Sequence, residues 1–356
     1  MTAASAPTSR LATLETLRGM ASVAVVFHHI AQQRQGTALA SHAAGPLLLW
    51  LGGWGVTVFF VLSGFCIHGS VLKTEHGGRL EPDWQHYFIR RARRILPGYL
   101  FAIALSIALG CLGDSNLITR ARWADLWAHL TFTSGFSQDT ALRINSVLWT
   151  VVVEVHFYLA YPLFIWCRNR MGIVRLTAML VVLSFCIKLG GRLWLEDAGR
   201  WTWHHSFLNL WWIWSLGALL AERHASWLTR QTGSPALNHP MMAVTALVFS
   251  LAFGCLDGKG NPMLAQVMET YGLPLLAAVV VAAFVRSPLA VLRARTATGL
   301  GEVSYSMYLL HPVALWLVVQ GLPAAPPVIA VSVMLALAWL LAQAGYRIIE
   351  RPFLKT

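Results

Sequence analysis

Arg18, His28 and His29 place a cation and two imidazoles inside one apolar stretch, residues 12–32. A guanidinium can bind an anionic group, and a neutral imidazole can accept a proton near physiological pH. On a helix, the eleven steps from Arg18 to His29 make about three turns, so the two side chains share a face and lie roughly 16 Å apart along it. Such groups are costly inside an apolar helix and usually mark a functional site. This face is therefore predicted to join an edge of the protein to a site deep inside it.

A carboxylate and a second intramembrane histidine occur farther along the chain. Glu154 lies in the apolar stretch 146–168, where Tyr158 shares its helical face at i+4. An ion pair between helices would explain an isolated carboxylate, but a functional role is favoured. His311 lies in the stretch 303–320, and for this residue both a hydrogen bond within a helix bundle and a part in chemistry remain open.

Four arginines, Arg90, Arg91, Arg93 and Arg94, fall within five positions next to the apolar stretch 95–113. Membrane orientation alone requires fewer cations, and guanidinium groups suit the phosphates of a nucleotide-bearing ligand. Both interpretations remain open for this cluster. Earlier in the chain, Ser63 lies in a run with several small residues, for which close helix packing is the main alternative to a functional role.

These side chains belong to a chain that is far too apolar for a soluble domain. Of its 356 residues, 56% are hydrophobic and only 12% are charged, whereas about 25% is usual in soluble proteins. Its mean hydropathy is +0.58. Apolar stretches long enough to span a membrane lie at 12–32, 47–72, 95–113, 146–168, 173–190, 205–221, 241–257, 269–286, 303–320 and 326–346. We predict an all-α polytopic membrane protein with about ten transmembrane helices.

The basic residues are distributed unevenly between the two sides of these spans. With the N-terminus inside, 18 Lys and Arg residues fall on the cytoplasmic side and 8 on the other. This bias predicts that both termini are cytoplasmic. The net charge of +12 is attributed to this pattern and to lipid headgroups, so nucleic acid is not expected as a partner. An amphipathic segment, residues 123–130, is expected to lie along the outer surface. The five cysteines show no metal-ligand spacing, and no metal is expected.

Several motifs, in this order, resemble the acyltransferase 3 family of integral membrane acyltransferases. They are Arg18 with His29, the FFVLSGF run that contains Ser63, Arg90-Arg91 with Arg94 and Pro97, the segment from Trp149 to Tyr158, Ser304 to His311 with Tyr308, and Glu350-Arg351-Pro352-Phe353. Together they cover nearly the whole chain. The chain departs from the family at Val155, where a second acid is frequent, and at His156, where Gln is frequent.

The resemblance implies about ten membrane helices, an acyl-CoA donor on the cytoplasmic side, and transfer of an acyl group, often acetyl, to a hydroxyl of a carbohydrate or other acceptor. It matches His29 and Arg18 to the family's functional pair and Glu154 to its buried acid. It matches Arg90, Arg91 and Arg94 to the donor-binding cluster. Substrate-binding roles are expected for Ser63, Tyr158, Tyr308 and His311. We expect one acyltransferase domain over residues 1–356, without a C-terminal esterase-like domain, in the inner membrane of a bacterium.

The chemistry of the residues agrees with this role. His29 could accept the proton of an acceptor hydroxyl, with Glu154 or His311 orienting the ring. Two alternatives remain open. The acceptor could be a small molecule or a lipid-linked intermediate, or the protein could be a transporter or flippase, since buried Arg, His and Glu also form proton relays. Product formation that depends on the donor, as opposed to substrate flux without it, distinguishes an enzyme from a transporter.

Overall fold

A computed structural model describes residues 6–33, 45–115, 117–230, 267–286 and 295–354. Over these ranges the chain is almost entirely helical, and a short antiparallel hairpin pairs Glu75–His76 (β1) with Arg79–Leu80 (β2). The predicted span 241–257 lies outside the described residues.

The helices follow one another with few other elements between them. The long ones are α1 (Ala6–Gln32), α2 (Gly45–Val71), α3 (Trp84–Gly110), α6 (Leu148–Met171), α7 (Ile173–Trp194), α9 (Phe207–Arg230), α10 (Leu273–Arg286), α12 (Ser304–Gly321) and α13 (Pro327–Gly345). The short ones are α4 (Trp123–Leu130), α5 (Gln138–Ala141), α8 (Asp197–His204), α11 (Arg295–Glu302) and α14 (Arg351–Leu354). Turns of 3-10 helix occur at Leu72–Thr74 and Ser134–Phe136, and turns of π-helix precede α10 at Met268–Gly272 and follow α13 at Tyr346–Glu350.

Six helical segments in the described ranges are long and apolar enough to cross a membrane. They are Gly45–Thr74, Trp84–Gly110, Leu148–Met171, Ile173–Trp194, Met268–Arg286 and Pro327–Leu354. The other long helices, α1, α9 and α12, coincide with three more of the predicted spans. The prediction of an all-α polytopic membrane protein is therefore confirmed.

Helix α3 begins much earlier than the apolar stretch that predicted it. Asp83 caps its first turn, since its Oδ1 accepts from the backbone N–H of His86 at 3.0 Å. The arginine cluster consequently lies within the helix. Side chains that are three positions apart on a helix share a face. Arg91 and Arg94 are half-buried, whereas Arg90 and Arg93 are exposed.

The bundle has two ends that differ in chemistry. We call the end at which α3 begins, with its four arginines, the arginine end. The opposite end, which carries His28, His29, α4 and α8, is the far end. Helices α1 and α2 run antiparallel, so that Arg18 meets Cys66 near the arginine end and His28 meets Leu49 at the far end.

Helices α2 and α9 approach each other closely through two glycines. A Cβ on Gly64 would overlap the backbone carbonyl of Trp214, and a Cβ on Gly217 would overlap that of Val61. Close packing therefore explains Gly64 in the FFVLSGF run. It does not explain Ser63, which lines a cavity.

The connection after α3 is held by an ion cluster at the far end. Arg122 donates to both carboxylate oxygens of Asp125, at 2.9 and 2.7 Å, and also contacts Asp139. Burial of the Asp125 carboxyl would raise its pKa, but the hydrogen bonds from Arg122 outweigh burial and lower the pKa. The predicted amphipathic segment forms α4, with Asp125 and His129 buried and Trp123 and Trp127 exposed.

Candidate functional site

A narrow cavity of about 90 Å³ lies toward the arginine end, and we call it the arginine cavity. Its polar lining consists of Arg18, Ser63, Cys66, Arg91, Arg94, Thr150, Glu154, Tyr158, Ser304, Tyr305 and Tyr308. Seven predicted site residues from five helices therefore converge here.

Arg18 is held at this cavity by residues of its own helix and of α2. Its guanidinium donates to Glu15 Oε1 at 2.6 Å and lies 3.9 Å from Cys66 Sγ. The side chain is only 17% exposed. A partly buried, fixed guanidinium is suited to binding an anion without a large cost in conformational entropy.

The α3 arginines divide into two pairs. Arg91 and Arg94 line the arginine cavity, whereas Arg90 and Arg93 are not among its lining residues. The guanidinium of Arg91 lies 6.0 Å from the ring centre of Tyr87 and 5.9 Å from that of Tyr158. Its Nε is buried and has no hydrogen-bond partner within the described ranges. A buried donor without a partner favours an anionic ligand at this position.

Glu154 also faces the arginine cavity. Its Oε1 accepts a hydrogen bond from the hydroxyl of Tyr158 at 2.5 Å. Ser63 accepts from Trp214 Nε1 at 3.3 Å on the same side. Glu154 is thus placed with Arg18 and the α3 arginines, and it is not among the residues that line the cavity around His29.

A wider cavity of about 430 Å³ lies toward the far end, and we call it the histidine cavity. His28 and His29 line it together with Trp149, Lys188, His204, His205 and Glu269, among others. Arg18 and His29 thus share a helix but line different cavities. That their common face joins an edge of the protein to a deep site stays a prediction.

The ring of His29 is held by His311, whose own orientation is fixed by a carbonyl group. His311 Nδ1 lies 3.1 Å from the carbonyl oxygen of Met307, which can only accept, so Nδ1 carries the proton. In a neutral ring, Nε2 of His311 then accepts from His29 Nδ1 at 2.9 Å. This leaves Nε2 of a neutral His29 with a free lone pair. His29 is consequently in the tautomer that can accept a proton from a ligand.

His311 itself is fully buried. It is not among the residues that line either cavity. His311, which was predicted to bind substrate, therefore contacts the imidazole of His29 and does not face either cavity.

The ring nitrogens of His28 both have partners. Its Nδ1 lies 2.6 Å from the carbonyl oxygen of Leu49, and its Nε2 lies 3.0 Å from Gln32 Nε2. By the same reasoning the proton is on Nδ1, and Nε2 accepts from the amide. This leaves His28 no free lone pair, so His29 is the better candidate for a base.

The two cavities meet at a wall that is one side chain thick. Val56, Phe60 and Tyr308 line both of them. The hydroxyl of Tyr308 lies 2.7 Å from Thr150 Oγ1, which anchors the ring in the wall. A ligand from each end of the bundle can therefore reach one side of these three side chains.

Other predicted motifs meet near the arginine end. Ser306 donates a hydrogen bond to Glu350, so the two C-terminal motifs form one contact. Tyr305 donates to the carbonyl oxygen of Ile95 at 2.9 Å, which ties α12 to α3. Glu350 is therefore a buried partner of Ser306, and it is not among the residues that line the arginine cavity.

The histidine cavity contains residues that the sequence analysis missed. Lys188, His204, His205 and Glu269 line it, but none belongs to a recognised motif. Lys188 was the one with a signal, because it lies within the apolar stretch 173–190, where a cation needs a reason. In the sequence analysis its charge enters only the number of basic residues on one side of the membrane.

Three curated bacterial relatives share part of the sequence. YrhL of Bacillus subtilis, named provisionally as a peptidoglycan O-acetyltransferase, is 28% identical over 153 residues, which is 38% of this chain and 23% of the relative. The O-acetyltransferase OatA of Staphylococcus aureus is 25% identical over 162 residues, or 43% and 24%. The peptidoglycan O-acetyltransferase OatA of Listeria monocytogenes is 23% identical over 188 residues, or 48% and 27%.

These alignments span about a quarter of the length of each relative. No solved structure matches the chain. Over a much longer range, residues 11–346, the sequence matches the acyltransferase 3 family, described as an acyltransferase domain. The matched range contains both cavities and every predicted site residue. The chain therefore belongs to the acyltransferase 3 family.

Proposed function

We propose that the protein is a membrane O-acyltransferase that moves an acyl group, acetyl in the simplest case, from a cytoplasmic acyl-CoA to a hydroxyl of a carbohydrate. One observation carries the proposal. Two cavities from opposite ends of the bundle meet at Tyr308, with cations on one side and a histidine in its proton-accepting tautomer on the other.

Arg91 and Arg94 are the residues that would hold the phosphates of the donor. Such a group fits the positive lining and the buried Nε of Arg91, which has no hydrogen-bond partner among the described residues. A cavity of about 90 Å³ is narrow, which suits a thin pantetheine arm better than a sugar. Arg18 lines the same cavity, where its fixed guanidinium would bind a further anionic group of the donor.

The donor supplies the acyl thioester, and the acceptor supplies the hydroxyl nucleophile. His29 Nε2 takes the proton as the hydroxyl oxygen bonds to the carbonyl carbon, and the carbon–sulfur bond breaks to release the thiolate. The thiolate then receives this proton, which leaves His29 neutral for the next turnover. His311 orients the ring and supports the positive charge that it carries in between.

The histidine cavity would hold the acceptor. Its volume of about 430 Å³ and its mixture of Trp149 with polar groups suit a sugar unit. The names of the relatives favour peptidoglycan-like carbohydrate as the acceptor class. The arginine end would face the cytoplasm of a bacterium and the far end the opposite side of its inner membrane, in keeping with the distribution of basic residues.

The decisive experiment follows acetyl-CoA consumption by the full chain in nanodiscs, measured as released thiol with a cell-wall glycan as acceptor. We expect His29→Ala to lower the rate by roughly 10²–10⁴-fold, the range for loss of a general base. His28→Ala is the matched control, and it should keep most of the activity because both ring nitrogens of His28 are paired, with Leu49 and Gln32, so that neither is free to act as the base.

Thiol release that is unchanged in His29→Ala would contradict the assignment of the base. A second outcome would support a transporter instead of a transferase. In that case acetyl-CoA neither binds nor releases thiol, and a glycan crosses the membrane of proteoliposomes.

A further inference from the structure

A second far-end cavity of about 460 Å³, which we call the vestibule, adjoins the histidine cavity. Lys188, His204 and Thr270 line both. The vestibule also contains Arg192 and Arg200, and Arg200 forms an ion pair with the exposed Asp197. No carboxylate occurs among its lining residues in the described ranges, and the route from the vestibule to His29 therefore passes positively charged groups.

Lys188 is the cation at the junction of these two cavities. Its ammonium donates to Thr270 Oγ1 at 2.7 Å and lies 6.0 Å from the ring centre of Tyr271. An ammonium has three N–H donors, so two remain for a ligand. The side chain is half-buried and lines the cavity, unlike the exposed Arg192 on the same helix.

His204 is the second polar group at the junction. Its Nε2 is buried and has no hydrogen-bond partner in the part of the chain that the structure describes. Buried polar atoms are nearly always paired, so an atom of this kind beside a cavity favours a ligand. Glu269 lines the histidine cavity as well, and its negative charge offsets part of the charge of Lys188 but places no anion in the vestibule.

Aromatic groups also line the histidine cavity. Trp149 packs edge-on against His205, with ring centres 4.9 Å apart, and His205 stacks on Trp201 at 4.3 Å. Rigid aromatic faces are a common surface for the apolar side of a sugar ring. The cavity thus combines a cation, an aromatic face and the base at His29.

We propose that Lys188 and His204 form an anion-binding subsite, and that the acceptor is an acidic carbohydrate whose carboxylate or phosphate binds there while its hydroxyl reaches His29. The identification of this ligand as the acceptor rests on the proposed transferase function. The binding itself does not, because it occurs without turnover.

Binding is measured with the full chain in nanodiscs of zwitterionic lipid, by calorimetry. One pair of probes is a glucuronic-acid disaccharide and its methyl ester, and the other is a hexose phosphate and the parent hexose. We expect at least one charged probe to bind about tenfold or more tightly than its neutral partner, the effect of one charge-assisted hydrogen bond. Preference for the carboxylate or for the phosphate identifies the acidic group.

Lys188→Met should abolish this preference while still binding the neutral probes, which shows that the variant is folded. Lys188→Arg should keep it. Arg120→Gln removes an exposed cation that lines none of these cavities, and it should leave all the affinities unchanged.

Equal binding of charged and neutral probes, or full preference in Lys188→Met, overturns the subsite. If thiol release still depends on His29 in that case, the transferase function stands without it. Charge preference without thiol release would instead leave an anion-binding membrane protein and refute the transferase function.

Discussion

The carbonyl group of Met307 sets the direction of the hydrogen bonds around His29. Because a carbonyl oxygen only accepts, His311 must donate from Nδ1 and accept at Nε2. His29 therefore donates from Nδ1 and keeps Nε2 free. A base that is oriented in this way needs no carboxylate beside it, which agrees with the position of Glu154 in the other cavity.

We predict that His311→Ala lowers kcat about 10–100-fold, by analogy with partners that orient catalytic imidazoles, and changes KM little. His311→Gln should recover part of the loss, because an amide can donate to Met307 and accept from His29 at the same time. Steady-state thiol release gives both constants. A large rise in KM with unchanged kcat would assign His311 to substrate binding instead.

The α3 arginines allow a matched comparison at the same net charge. Arg91→Gln with Arg94→Gln removes both guanidinium groups that line the arginine cavity. We expect acetyl-CoA affinity to fall roughly tenfold or more, with a weaker dependence of the remaining affinity on salt. Calorimetry across a salt series measures both quantities.

The control is Arg90→Gln with Arg93→Gln, which removes two exposed cations from the same helix. It should change affinity by much less. Equal losses in the two double variants would show that general positive charge, and no particular pair of arginines, attracts the donor.

At the scale of the elements, one very close contact in the site region joins α2 to α9. Gly64 and Gly217 face backbone carbonyl groups of the partner helix, so a new methyl group has no flexible side chain to displace. Ser63 and Trp214 are neighbours of this contact and are joined by a hydrogen bond. The spacing of these helices therefore sets the position of a side chain that lines the arginine cavity.

We predict that Gly64→Ala lowers the Tm of the protein in detergent by several degrees, since overpacking commonly costs about 1–3 kcal/mol. Gly69→Ala, on the same helix, is the control, because its Cβ would meet only Ala221 at 3.8 Å. Equal Tm values for the two variants would show that the α2–α9 contact relaxes easily.

The sequence predicted the helices well and the contacts between them poorly. Hydropathy alone locates the spans, and helical geometry alone puts Arg18 and His29 on one face. The contact of His29 with His311 joins residues that are far apart in the chain, and no local pattern encodes it. The separation of Arg91 and Arg94 from Arg90 and Arg93 follows from the helical repeat once α3 is known to begin after Asp83. The hydropathy pattern does not show this start, because the first turns of α3 are polar.

For the whole molecule, the proposed function requires that the arginine end and the far end face different compartments. We predict that Thr131→Cys at the far end reacts with an impermeant maleimide in intact bacterial cells, whereas His76→Cys at the arginine end reacts only after lysis. Both positions are exposed. The exposed native thiols Cys111 and Cys186 are first replaced by Ser. The reverse pattern of labelling would invert the orientation and place the arginines outside.

Val56, Phe60 and Tyr308, the wall between the two cavities, also have to separate two solutions. Solvent that entered the two cavities would be separated, within the described part of the chain, by these three shared side chains. We predict that Tyr308→Ala makes proteoliposomes leak protons, as reported by a trapped pH-sensitive dye, whereas Tyr308→Phe keeps them tight. No added leak in Tyr308→Ala would place the seal elsewhere. Any ligand that pushes Tyr308 aside must fill the space it opens, so the requirement to stay impermeable limits how far this wall can move during catalysis.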